Sequence, residues 1–415
     1  MIDLDVFQRI CHRIESYRED MIRLQTDLTA IPAISPESGG DGEYQKSRLL
    51  LSRLTDFGLT SILEISAPDA RVSSGIRPNL FATVSGNDME QAVWILTHMD
   101  VVPPGERSFW EKDPYQAYVK GDRIYGSGTE DNQQDLVASI FAARVFMDEG
   151  IIPDKTIGLA MVADEETNSQ YGLQFVLNHP DNPFRKNDLF VVPDAGNEDG
   201  SIIEVAEKSI LWVCFKTMGK QCHASRPAYG RNAFLAASHL IALLYNSLHE
   251  SFDAQDDIYD CPSSTFEPTK KKANVSNVNT IPGEDIFYMD CRILPQYPLS
   301  DVTAAMRRAA DEIENRFRVT VEMDIVQQGE APTPTPADAA IVVVLRDAIR
   351  VVYGVEANPR GIGGNTVAAF LRRNGYPAAV WSRHAFMAHQ PNEYCFISNM
   401  IGNAKAFAYL FMQHP

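Results

Sequence analysis

The apolar run Thr156-Ile-Gly-Leu-Ala-Met-Val-Ala163 ends in three consecutive acids, Asp164, Glu165 and Glu166. Carboxylates at the end of a buried strand are costly unless a cation compensates them. Side chains alternate along a strand, but the turn at its end can bring adjacent carboxylates to one site with different tasks. One can ligate a metal while the other moves protons. Taken alone, such a pair also reads as a solvated turn. His98 and Asp100, two residues apart, share a strand face, and the carboxylate can accept the imidazole's second N–H and fix its tautomer. A hydrogen-bonded core histidine is the alternative there. Asp131, in Gly128-Thr-Glu-Asp-Asn-Gln-Gln134, precedes a helical stretch, where helix capping is the alternative role. Asp194 follows Val191-Val-Pro193. Asp100, Asp131, Glu165, Glu166 and Asp194 all fall at or just beyond expected strand ends, and in an open α/β sheet those ends form one crevice. Four acidic clusters and a histidine converging there would repel one another strongly without a metal.

The elements that must position these residues are legible in the hydrophobic pattern. Apolar residues at helical spacing predict one helix from about Val6 to Ala30, and a second from Glu43 to Leu54. Ala92 to Val102, Thr156 to Ala163 and Asp188 to Val192 read as buried strands, with a helix over Asn132 to Asp148. This alternation argues for an α/β fold with a mixed, mostly parallel sheet covered by helices. Near residue 205 the pattern changes. Strand-like Ile210–Thr217, helical Asn232–Leu248, a strand within Cys261–Asn279, strand-like Ile286–Leu294, helical Leu299–Phe317 and strand-like Val319–Val326 suit an inserted α+β, ferredoxin-like βαββαβ module. Ala331-Pro-Thr-Pro-Thr-Pro336 reads as a stiff connector. Helices over Asp338–Val352 and Thr366–Arg373 and a final strand over Pro377–Trp381 then resume the first pattern. The expected organisation is a discontinuous catalytic domain, residues 1–206 and 331–415, interrupted by a module at 207–330.

The 415 residues carry a net charge of -18, which argues against nucleic acid or an anionic membrane as a partner. Six scattered cysteines without a Cys-x-x-Cys pair argue against a disulfide scaffold or a cysteine zinc knuckle. The sequence opens without a basic flank or apolar h-region and has no run of about 20 apolar residues, so a cytoplasmic chain is expected.

In order and spacing, His98-Met-Asp100, Gly128-Thr-Glu-Asp131, Asp164-Glu-Glu166, Pro193-Asp194 and Ala388-His-Gln-Pro-Asn-Glu393 resemble the M20 metallopeptidase family of co-catalytic zinc amidohydrolases. The family includes succinyl-diaminopimelate desuccinylase, acetylornithine deacetylase, carboxypeptidase G and aminoacylase. The resemblance spans nearly the whole chain and implies a zinc-exopeptidase-like fold with a lid and dimerisation domain. It implies that Asp131 bridges two zinc ions, with cobalt or manganese as possible substitutes. His98 and Asp194 would complete one site, and Glu166 and His389 the other. Glu165 would be the general base, taking the proton of a metal-bound hydroxide's parent water, and Asp100 would orient His98. Gly219-Lys-Gln-Cys-His-Ala-Ser-Arg-Pro227 is similar to the family segment whose histidine, here His223, reaches the partner subunit's site in a homodimer and stabilises the oxyanion. Asn279 and Arg292 match positions that contact the substrate carboxylate; an ion pair is the alternative role for Arg292. Gly363, Gly364 and Asn365 would offer further contacts to that carboxylate.

Three segments depart from the family pattern. Asn132-Gln133-Gln134 replaces an acidic-Lys-Gly continuation, Gly361-Ile-Gly-Gly-Asn-Thr-Val367 replaces a Gly-Gly-Thr loop, and Trp381-Ser-Arg-His384 replaces Gly-Pro-Gly. His384 reads as a pocket residue or a plain loop histidine, and Cys222 as a packed residue rather than a nucleophile. The expected activity is hydrolysis of a linear amide in an N-acyl amino acid, as in a desuccinylase or deacetylase, or in a small peptide, as in a di- or tripeptidase or carboxypeptidase. A non-catalytic amino-acid or peptide binder is the reading from another class.

Overall fold

A computed structural model describes residues 3–364 and 366–413. The chain divides into two compact units, residues 1–205, 335–359 and 366–415 forming one, and residues 206–334 and 360–365 the other.

The first unit is built on a sheet of eight strands among the described residues. Their order is Ser61–Pro68, Ile76–Val84, Lys155–Val162, Asp88–His98, Leu189–Asn197, Ala378–Arg383, Ile202–Glu207 and Asn358–Ile362. Its centre is parallel: Asp88–His98 lies between Lys155–Val162 and Leu189–Asn197, and the latter runs parallel to Ala378–Arg383. Ile76–Val84 is antiparallel to both Ser61–Pro68 and Lys155–Val162, and Ala378–Arg383 to Ile202–Glu207, giving the expected mixed α/β sheet. Along the central strand Trp94 and Leu96 face one side and Val93 and Ile95 the other, and all four are buried. Helices cover both faces, so the strand reads as an unbroken apolar run. Helix Gln134–Asp148 is buried on nearly every side and packs against Ile397–Phe411, with Phe146 and Phe411 in edge contact at 6.1 Å.

Two local expectations are corrected. The helix expected over residues 6–30 is two helices, Leu4–Ser16 and Arg18–Thr29. They meet at buried Tyr17, whose hydroxyl donates to Asp148 Oδ2 at 2.6 Å. The strand Ala378–Arg383 is not the last, because Tyr394–Phe396 pairs with Arg123–Tyr125 and the helix Ile397–Phe411 follows. Strands Ser61–Pro68 and Ile76–Val84 also escaped the pattern. The second contains Pro78 and the buried polar residues Arg77 and Asn79, which do not read as a strand until their partners are known.

In the second unit a four-stranded antiparallel sheet has the order Thr265–Lys271, Glu284–Ile293, Ser209–Met218, Thr320–Gly329. Helices Ala233–Ser251 and Leu299–Phe317 alternate with those strands in the βαββαβ sequence. Val213, Phe215, Leu240, Leu244, Phe287 and Met306 form its own core.

Candidate metal centre

The parallel register brings the chemistry to one sheet edge. His98 ends its strand opposite Val162, so Asp100 and the turn Glu165–Thr167 emerge side by side. Asp194 lies in the neighbouring strand Leu189–Asn197. Asp131 sits in the turn Thr129–Gln133 with extended backbone, φ -110° and ψ 98°, before helix Gln134–Asp148 begins. The result is two clusters that share one residue: His98, Asp131 and Asp194, and Asp131, Glu166 and His389. His98 Nε2 is 2.9 Å from Asp131 Oδ1 and 3.3 Å from Asp194 Oδ1. His389 Nε2 is 3.1 Å from Asp131 Oδ2 and 3.2 Å from Glu166 Oε1. Ligand atoms around one four-coordinate zinc stand about 3.4 Å apart, so these spacings and the N/O donor set fit a divalent ion in each cluster.

Electrostatics favour the same occupant. Burial disfavours a charged His98, yet Asp100, Asp131 and Asp194 outweigh it and hold its pKa well above the ordinary value. Hydrogen bonds to Asp131 and Glu166 push His389 up to about 11. Burial opposes ionisation of Asp131, but His389 and His98 keep its carboxyl well below the usual range. Burial and then Asp194 push Glu165 well up, and burial and then Asp131 push Glu166 to about 7. The attraction that loads protons onto the rings favours a dication still more, because the ion carries the charge while the rings stay neutral.

Around this centre lies a buried scaffold. His98 Nδ1 is 3.1 Å from the backbone carbonyl of Asp100 and 3.5 Å from its Oδ1, and the two Asp100 carboxylate oxygens accept the backbone N–H groups of Glu165 at 3.1 Å and Glu166 at 3.0 Å. Asn132, buried in the atypical Asn-Gln-Gln segment, donates to Pro193 O at 2.6 Å and accepts from His98 N at 3.4 Å. It thereby ties the strands that carry His98 and Asp194. Gln133 accepts from Thr29 Oγ1 at 2.9 Å, and Gln134 donates to Arg383 O at 3.1 Å. Beneath Asp164, fully buried Arg77 pairs with both oxygens of Glu43 and reaches Asp164 Oδ1 at 3.5 Å. Lys46, one turn along from Glu43, is buried among the charges of Asp100, Glu43 and Glu393. Nothing in the sequence pattern singles out Glu43, Lys46 or Arg77, and Glu130 and Glu393 read there only as parts of motifs. His384 is buried, with Nε2 3.8 Å from Asp135 Oδ2.

In the second unit the expected catalytic His223 lies near Asn279, and Arg292 lies near Gly363. His223 pairs in register with Thr280, next to Asn279, whose carbonyl accepts from Ala224 N at 2.8 Å. The His223 ring is exposed and shares a 2.8 Å hydrogen bond with Ser225 Oγ. Arg292 binds both oxygens of Asp290 at 2.7 and 3.1 Å and donates to Gly363 O at 3.0 Å. Gly364 is half-buried, with Ile362 Cδ1 3.7 Å from where a Cβ would stand. Asn365 lies outside the described residues.

Residues 94–413 match the profile of peptidase family M20/M25/M40. The chain belongs to this family. An uncharacterized metallohydrolase of Methanocaldococcus jannaschii is 37% identical over 94% of this chain and 98% of its own length. Succinyl-diaminopimelate desuccinylase 1 of Ruegeria sp. is 25% identical over 78% of this chain and 81% of its own. In fold, the chain is similar to the di-peptidase Dug1p from Saccharomyces cerevisiae, with a TM-score of 0.75, 98% of each chain covered and 14% identity. The protein is therefore an M20 metallohydrolase acting on C–N bonds. Among its described residues no helix is long and apolar enough to cross a membrane.

Proposed function

We propose that this M20 hydrolase binds two divalent ions, zinc in the first instance, and cleaves a linear amide bond in an N-acyl amino acid or a short peptide. The observation that carries the reading is Asp131, whose two oxygens each meet a histidine, His98 on one side and His389 on the other. His98, Asp131 and Asp194 would hold one ion, and Asp131, Glu166 and His389 the second. Bound there, the pair supplies Lewis acidity and a water acidic enough to react near neutral pH.

The remaining tasks fall to the chain's own groups. Glu165, whose burial and nearness to Asp194 make it a stronger base than an ordinary carboxylate, takes the proton of the attacking water. The same carboxyl returns that proton to the leaving amine nitrogen. Asp100 holds the ring of His98 and, through the two amides it accepts, the backbone that carries Glu165 and Glu166. His223 donates to the developing oxyanion from a partner subunit, in a homodimer formed through the inserted unit, which serves as its lid. Asn279, Arg292, Gly363, Gly364 and Asn365 receive the substrate carboxylate, which Arg292 can grip bidentately once it exchanges Asp290 for substrate.

The desuccinylase among the relatives supports an N-acyl amino acid. The dipeptidase-like fold supports a short peptide as the second reading. Incubating the zinc-, cobalt- or manganese-loaded protein with N-succinyl and N-acetyl amino acids and with dipeptides separates them. The expected result is hydrolysis concentrated in one substrate class with a free carboxylate beside the cleaved amide. Absence of hydrolysis across all classes, with metal bound, would favour the non-catalytic binder.

A further inference from the structure

Asp131 and His389 lie in segments more than 250 residues apart in sequence, and each segment sets a buried carboxylate onto the other's backbone. Glu130, beside Asp131, accepts the backbone N–H groups of Ala385, of Met387 at 2.5 Å and of Ala388 at 3.0 Å. These amides lead directly into His389. In return Glu393, four residues beyond His389, accepts the N–H groups of Gly128 at 2.8 Å, Glu130 at 2.8 Å and Asp131 at 3.2 Å. Both carboxylates are buried, Glu130 fully and Glu393 to within 3%.

The loop they hold does not adopt its shape unaided. Phe386, His389 and Asn392 all have left-handed backbone, with φ of 58°, 61° and 61°. Residues with a Cβ disfavour that region. The facing turn is fixed by Gly128, also left-handed at φ 76°, where a Cβ would approach Val101 Cγ1 to 2.4 Å. Six hydrogen bonds, each from a backbone amide to a carboxylate oxygen, span the two segments.

We propose that Glu130 and Glu393 form a reciprocal carboxylate latch that positions His389 against Asp131, so that the ion held by Asp131, Glu166 and His389 depends on it. The inference rests on the two-metal reading above. It makes Glu130 and Glu393 positioning residues, which touch neither ion nor substrate. Because the bonds accepted by Glu130 act only on the His389 loop, its loss should loosen the second ion selectively. The ion held by His98, Asp131 and Asp194 should be spared.

The test is a titration of the metal-stripped protein with Co2+ and with Zn2+ against a chelating dye, for the wild type, Glu130→Gln and Glu130→Ala. The expected result is two ions in the wild type. In Glu130→Ala one of the two ions should bind at least about tenfold more weakly, with Glu130→Gln intermediate and the other ion unchanged. A wild type that binds fewer than two ions overturns the two-metal reading, and the latch with it. Two ions in the wild type with the same two affinities in Glu130→Ala overturn the latch alone, as does equal weakening of both ions. If the variants do not fold, hydrogen exchange on the wild type decides. Slow exchange at the amides of Ala385, Met387 and Ala388 supports the latch, and exchange at the rate of exposed amides overturns it.

Discussion

Replacing Lys46 with Met should make the protein's pH profile of stability change in a calculable way. Lys46 sits near the start of helix Tyr44–Asp56, buried, with no hydrogen-bond partner for its ammonium among the described residues. Burial lowers its pKa from 10.5 to about 8, against the attraction of Asp100, Glu43 and Glu393. At about 1.4 kcal/mol per pH unit, the folded protein disfavours the ammonium by about 3 kcal/mol relative to the unfolded chain. Below pH 8 both states hold the proton and the whole penalty is present. Between pH 8 and 10.5 the unfolded chain keeps a proton that the folded chain has released, so this group makes stability rise with pH. Lys46→Met keeps the length of the stem and removes the ammonium. Urea unfolding of metal-stripped wild type and variant, followed by fluorescence at pH 7 to 10, isolates the group as a difference. The advantage of Lys46→Met should be largest at pH 7 and shrink by about 1.4 kcal/mol per unit above pH 8. A difference constant to within about 0.5 kcal/mol across that range would refute the argument, since the ammonium would then cost the folded state nothing.

Two further substitutions probe the scaffold. Asn132→Ala removes the donor to Pro193 O and the acceptor for His98 N, and should lower zinc affinity about 10- to 100-fold in the same dye titration while Tm falls modestly. Arg77→Met strands Glu43 and Asp164 in a buried site and should destabilise by about 3–5 kcal/mol in urea unfolding. Pairing it with Glu43→Gln should recover part of that loss, and a double variant no more stable than Arg77→Met would count against the buried pair.

The sequence made the metal-centre residues legible because their positions follow a simple rule. His98, Asp164 to Glu166 and Asp194 mark the ends of neighbouring central strands, and parallel pairing sends those ends to one edge. Asp131, also expected beyond a strand end, reaches them from the turn Thr129–Gln133, and motif order added His389. The latch was not legible, since Glu130 and Glu393 each look like ordinary motif acids until the two segments meet. Helix Ile397–Phe411 escaped for another reason: buried residues surround it, leaving no polar face to reveal a period. Arg77 and Lys46 were hidden in the opposite way. Both are charged residues that a sequence reading assigns to solvent, and both are buried in a network of acids from separate elements.

The most direct test of the central claim is the Glu165→Gln variant, which keeps the shape of the side chain and removes its basicity. Metal content and hydrolysis of the best substrate are measured on one preparation beside the wild type. The account predicts an unchanged number of bound ions, because Glu165 is in neither ligand cluster. It predicts hydrolysis slower by about a hundred- to ten-thousand-fold. Hydrolysis at the wild-type rate with both ions bound would contradict it.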